Sequence, residues 1–138
     1  MTHYLDLHTY LRVAAEVVGV EVDVLAVSGD LAVADAALNA CAAYCKVAGG
    51  HPGFPELAAV LARRLCTSRP LPSHNLSVAY AMLREFAFRN GCSWSDQPGD
   101  HAQLTALLFR GVRDGTVSDH QLSGWIRERT RRTHDDRG

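Results

Sequence analysis

The residues whose types and spacing could do chemistry are concentrated in one stretch, Thr67-Ser68-Arg69-Pro70-Leu71-Pro72-Ser73-His74-Asn75-Leu76-Ser77. Pro70 and Pro72 keep the backbone extended. Ser73, His74 and Asn75 then lead into a helix that begins at about Leu76. A helix start carries free backbone N–H groups and a partial positive charge, so it is a natural place to hold an anion. Arg69 can bind such an anion, with Asn75 and the amides of residues 74 to 76 completing the nest. The plainer reading of Arg69 is a solvated loop arginine paired with a nearby carboxylate. His74 offers an acid or base. Its plainer reading is a surface histidine in a first helical turn. Ser73 reads as the helix N-cap, a role that leaves room for a polar contact with a ligand.

The other reactive side chains carry weaker patterns. Cys41 and Cys45 lie four apart on one helix face, and His51 follows in a Gly/Pro-rich loop. A third and a fourth ligand are not evident, so the sequence implies no metal and no cofactor. Two small buried residues account for that cysteine pair. Cys66 and Cys92 have no spacing signal, and Trp94 and Trp125 read as anchors at the core or its rim. Arg127, Arg129, Arg131 and Arg132 make a basic end that suits a helix C-terminus.

The totals bound the partners. The chain has 138 residues, 47% hydrophobic and 21% charged, with a formal net charge of -1. One domain of ordinary size can be built from it. The charge gives no global field toward nucleic acid or an acidic membrane. No apolar run reaches transmembrane length, and Met1 to Asp6 has no secretory pattern. The expected location is the cytoplasm, with the four cysteines reduced.

The elements that must position the stretch are helical. Leu7, Leu11, Ala14, Val17 and Val18 recur at helical spacing, so a helix is predicted over about Leu7 to Val18, with Asp6 as N-cap and Gly19 as its stop. Val20 to Leu25 alternates, but no second strand is near, and it reads as an extended connector. Further helices are predicted over Leu31 to Lys46, Phe54 to Cys66 and Leu76 to Asn90, the last apolar on more than one face. Cys92 to Gly99 reads as a loop. Asp100 with Gln103, and Ser118 with Gln121, fit capping boxes for helices over about His101 to Arg113 and Asp119 to Arg132. The expectation is an all-α single domain, a compact bundle of about six helices, with residues 1–6 and 133–138 fraying.

The order of features resembles the Fic/Doc family, in particular its short Doc-like toxins. The resemblance runs over about residues 3 to 132. It rests on Tyr4-Leu5-Asp6-Leu7, the Gly29-Asp30-Leu31 helix start, a Gly/Pro-rich loop before Phe54-Pro55-Glu56-Leu57, a loop into a buried helix, Phe88-Arg89-Asn90-Gly91-Cys92, and Asp114-Gly115-Thr116 followed by Leu122 to Arg127. The family signature is His-Pro-Phe-x-Asp-Gly-Asn-(Lys/Gly)-Arg, and the corresponding residues here run from Arg69 to Ser77. Pro70 and Asn75 match, and Leu71 is an apolar replacement. The family's histidine base falls on Arg69, which cannot accept a proton. Its acidic residue falls on Ser73, its glycine on His74, and its phosphate-clamping arginine on Ser77. His51 falls in the loop that corresponds to the family's flap, from which it could reach toward Arg69 and His74.

The resemblance implies where a site lies and leaves its chemistry open. One expectation is a repurposed enzyme acting on a small or anionic substrate, with Arg69, Ser73 and His74 as catalytic residues and Asn75, Ser77 and His51 as ligand contacts. A second is a non-catalytic toxin-like protein that binds an antitoxin-type or regulatory partner. A third is a nucleotidyl- or phosphotransferase with altered residues.

Overall fold

The computed structural model describes residues 2–48 and 52–133. Among these the chain forms seven helices and one short ribbon: α1 (Leu7–Val18), α2 (Val22–Ser28), α3 (Leu31–Ala48), α4 (Phe54–Ser68), α5 (Asn75–Arg89), β1 (Cys92–Trp94), α6 (Ala102–Asp114), α7 (Asp119–Arg129) and β2 (Thr130–Arg132). The architecture is an all-α bundle. No single described helix is long and apolar enough to cross a membrane.

Local chemistry sets most helix ends. The Asp6 carboxylate accepts from the Thr9 amide at 2.9 Å, which opens α1 and holds that carboxyl below its ordinary range. Gly19 closes α1 in the left-handed conformation, φ 85°, with its N–H donating to Ala15. Ser118 and Gln121 form the complete capping box of α7. Residues ahead of α1 do not hang free. Asn90, at the end of α5, exchanges hydrogen bonds with the His3 backbone at 2.7 and 3.0 Å, and Leu5 is buried.

α4 and α5 are the centre of the bundle. α4 packs on α3, α5, α6 and α7, and α5 packs on α1, α4, α6 and β1. Leu57, Leu61 and Leu65 of α4 meet Val78, Met82, Leu83 and Phe86 of α5 in one core cluster. Each such side chain contributes about 1.5–3 kcal/mol by leaving water. Ala58, Ala59 and Ala62 are buried on α4 among its neighbours, where small residues permit close approach. An aromatic circuit closes the other end. Tyr80 of α5 touches Phe109 of α6, Phe109 touches Trp125 of α7, Trp125 touches Trp94 of β1, and Trp94 returns to Tyr80. All four contacts are edge-on, with centroids 5.6 to 6.0 Å apart.

Three elements differ from the sequence expectation. Val20 to Leu25 is not extended, because α2 occupies most of it. An isolated strand there would leave its ladder groups unpaired, whereas a helix pairs them internally. Only Leu25 anchors α2, while Val22, Val24 and Val27 stay exposed, so the valine alternation does not report burial. Cys92–Trp94 is a strand rather than loop, and the last helix stops at Arg129 because Thr130–Arg132 pairs with it antiparallel, Ser93 opposite Arg131. Asp100 does not cap α6. That role falls to His101, whose Nδ1 accepts from Leu104, because Asp100 is drawn to Arg129.

Two arginines tie the late elements to the centre. Arg63 of α4 binds Asp119 at 2.6 Å, donates to the Val112 carbonyl at 2.8 Å, and donates to the Val117 carbonyl. It thereby fixes the α6–α7 turn, where Gly111 lies so close that an added Cβ would meet Val117 Cγ2 at 2.5 Å. Arg129 is buried. Its guanidinium forks onto both oxygens of Asp100 at 2.7 and 2.8 Å and lies 4.4 Å from the Trp125 ring centre.

Arg63→Met leaves the Val117 carbonyl without its donor and the Val112 carbonyl with only the Gly115 amide, so it should lower the unfolding free energy by about 2 kcal/mol. Urea unfolding measures this, and a loss within error of zero would refute the clamp. The Arg129 fork, followed by the Gln97 amide, lowers the Asp100 carboxyl from 3.8 to about 2. A depressed carboxyl stabilises the fold above its unfolded-state pKa and loses that contribution as pH falls. Asp100→Asn should therefore be less stable than the parent at pH 7, with the gap closing between about pH 4 and pH 2. A gap constant across that window would show that the pairing does not stabilise the fold.

Candidate functional site

The connection between α4 and α5, residues 69–74, is short, and two of its residues adopt left-handed backbone without being glycine. Arg69 closes α4 at φ 55° and His74 opens α5 at φ 67°. That conformation is unusual for residues with a Cβ, and it persists only where surrounding contacts hold it. The contacts are specific. The Asp30 amide donates to the Pro70 carbonyl at 2.8 Å. Leu71 is buried against the α2–α3 corner, where an added Cβ on Gly29 would meet Leu71 Cδ2 at 3.2 Å. The Asn75 side chain then bonds both ways to Leu71, accepting from its N–H at 3.0 Å and donating to its carbonyl at 2.8 Å.

This lock has a consequence at the start of α5. Ser73 does not cap the helix, and His74, at the N-cap position, provides no side-chain cap either. Asn75 is committed to Leu71. The N-terminal amides of α5 are therefore without a protein side-chain acceptor among the described residues. Asn75, Leu76 and Ser77 of that first turn line a cavity of about 280 Å³ together with Arg69, Ser73, His74, Cys66 and Arg113. Among the described residues no carboxylate lines it.

The structure brings five of the six expected residues to one place. His51 lies outside the described residues. Arg69, Ser73, His74 and Ser77 are exposed, so the rim is open to solvent, whereas Pro70 and Leu71 are buried beneath it. The Ser73 hydroxyl and His74 Nδ1 are 2.8 Å apart, a contact between adjacent residues. Arg69 has no ion pair among the described residues, unlike Arg113, which pairs with Asp114 at 2.8 Å and has its pKa raised by that bond.

Arg113 is the residue that sequence reasoning missed. It comes from α6, far along the chain, and its only local signal is the neighbouring Asp114. Cys66 also reaches the cavity, but burial pushes its thiol up to about 12, so it stays protonated and unreactive. Cys41 is likewise pushed to about 12 by burial, with its thiol on the Leu57 carbonyl, and no described group of three metal-type ligands exists.

The arrangement can hold an anion. The Arg69 guanidinium and a bare helix start line one space, with Arg113, already paired to Asp114, beside them. At its edge an imidazole can exchange a proton with a hydroxyl. A larger space of about 590 Å³ lies between α3 and α4, but it is an open groove walled by Ala36, Ala40 and Ala43, and its one carboxylate, Asp119, is already bound to Arg63. No protein-family model matches the chain, and no curated protein matches it.

Asn75→Ala removes both bonds to Leu71 and should free the loop rather than the bundle. The local opening free energy of the Leu71 amide should fall by about 1–2 kcal/mol. Hydrogen exchange reads this residue by residue, and unchanged protection at Leu71 would show that the loop is held by other contacts.

Proposed function

We propose that the protein is a divergent Fic/Doc-like domain that holds a small anionic substrate at the start of α5 and acts on it. The carrying observation is the uncapped N-terminus of α5 opening into a cavity that also receives Arg69 and Arg113. Support for the family reading comes from one backbone detail. His74, with φ 67°, stands where the family has glycine, the residue that takes that conformation most readily. The family's phosphate-clamping arginine is replaced by Ser77, and Arg113 brings a guanidinium into the same space from another helix.

In this reading each residue has a task. Arg69 and the α5 amides bind the anionic group, and Arg113, paired with Asp114, lines the same space. His74 takes and returns a proton, either from Ser73 or from a substrate hydroxyl in its place. Transfer in the family's own manner is disfavoured, because the position of its base is occupied by an arginine. A second reading is a non-catalytic partner-binding protein. It is favoured by the exposure of Ser73 and His74 and by the absence, among the described residues, of a carboxylate that orients the imidazole.

The test uses pyrophosphate as the probe, followed by calorimetry and amide NMR. Binding should shift the amides of residues 75 to 77, and Arg69→Ala should weaken it about tenfold, the loss of one charge-assisted contact. Failure of pyrophosphate to perturb those amides at millimolar concentration sinks the anion site. Turnover is assayed separately on a panel of small phosphate and carboxylate esters. Activity lost in His74→Ala, with anion binding retained, supports the enzyme. Binding without turnover throughout the panel favours the partner-binding reading.

A further inference from the structure

A second surface, toward the C-terminal end of α5, carries features the anion site does not use. A groove of about 430 Å³ runs between α5 and β1, lined by Tyr80, Arg84 and Phe88 from the helix and by Cys92, Ser93 and Trp94 from the strand. Phe88 is 75% exposed, at one end of the groove. Arg84 lies over the Tyr80 and Trp94 rings at 5.9 and 5.8 Å and has no carboxylate partner among the described residues. Among the described residues the only acid lining this groove, Glu85, is already shared by Arg12 and Arg89.

The strand beside the groove has an open edge. Antiparallel residues alternate between those that bond across the ladder and those that point away from it. The Ser95 amide donates to Arg129, and the Thr133 amide donates to Gly91. With Ser93 opposite Arg131, residues 91, 93 and 95 therefore face β2. The N–H and C=O groups of Cys92 and Trp94 point the other way, and no other described backbone group bonds to them. Cys92 is buried and Trp94 half-buried, but both line the groove, and unpaired groups on a strand edge are a template for an additional strand.

We infer that the outer edge of β1 takes an acidic, extended peptide segment as an added strand. The backbone of the segment pairs with Cys92 and Trp94. In an extended chain alternate side chains share one face, so an apolar and an acidic residue two apart meet Phe88 and Arg84 together. The sign of the partner follows from charge. Among the described residues Arg84 has no ion pair, Arg131 and Arg132 are exposed on the neighbouring strand, and Glu85, outnumbered by its two arginines, and Asp96, beside Trp94, leave the flank net basic. A net charge of -1 for the whole chain conceals this basic flank. The inference stands apart from the anion site, because none of its residues lines that cavity.

The probe is a fluorescein-labelled peptide of Val-Ser-Glu-Ser repeats, followed by fluorescence anisotropy with the full chain. Binding should weaken with added salt, about fivefold with Arg84→Gln, and about fivefold with Phe88→Ser. N-methylating the peptide amides on the pairing side, which leaves the protein untouched, should weaken it about tenfold. Equal binding of the N-methylated peptide, or of a version with lysine for glutamate, would overturn the inference. So would no binding at millimolar peptide, displacement of the peptide by a single-stranded oligonucleotide, or self-association of the protein that Phe88→Ser abolishes.

Discussion

Burial of α4 and α5 against each other is the constraint that every other element answers to. Each helix buries a broad apolar face and leaves only a polar or half-buried stripe in water, apart from the exposed Phe88. Leu57, Leu61 and Leu65 on one and Met82, Leu83 and Phe86 on the other are buried to within a few per cent. α1, α3, α6 and α7 are placed to cover what remains. Two helices packed together across a short turn must also reverse the chain within a few residues, which forces unusual backbone at the turn. Arg69 and His74 absorb that reversal in the left-handed region. The geometry of the site is thus a by-product of packing the core.

The same constraint explains why the late elements need arginine clamps. α6 and α7 each present few fully buried residues, Phe109 and Val112 on one and chiefly Leu122 and Ile126 on the other. Apolar burial alone holds them less firmly than the centre is held. Arg63 reaches from α4 to bind the turn between them, and Arg129 binds the loop that precedes α6. Both side chains are largely withdrawn from solvent, where a fork of hydrogen bonds is stronger than it is at a surface. Arg129 also lies against Trp125, so the aromatic circuit and the ion pair are mechanically one unit.

Much of the helical framework was legible because its signals are local. Asp6, Gly19, Ser118 and Gln121 act within four residues of themselves, and each sits where its chemistry requires. The ribbon was illegible for the opposite reason. Ser93 pairs with Arg131 across most of the C-terminal third, and three-residue strands carry no periodicity to read. α2 misled because its valines alternate without being buried. The site was legible as a place, since prolines, polar residues and a helix start coincide there. Its inner wiring was not. Asn75 reads as a ligand contact when only its type and position are seen, yet both functional ends of its amide are engaged by Leu71. Arg113 enters from α6, and no local pattern brings it there.

Within the α4–α5 connection the anchoring groups and the exposed groups are separated along the chain. Pro70, Leu71 and Asn75 hold the loop, and they do so through two main-chain carbonyls, one main-chain amide, one buried leucine and one amide side chain. Arg69, Ser73, His74 and Ser77 make no contribution of that kind, and their side chains are exposed on the rim. Backbone shape is therefore set by atoms that most residues possess, while the chemistry of the rim is set by side chains that the shape does not depend on. A loop wired this way can keep its course while its reactive groups are exchanged. The start of α5 is bare because the Ser73 hydroxyl is on the His74 ring, His74 provides no cap and Asn75 is committed to Leu71, so an exchange at position 74 to a capping residue would close it.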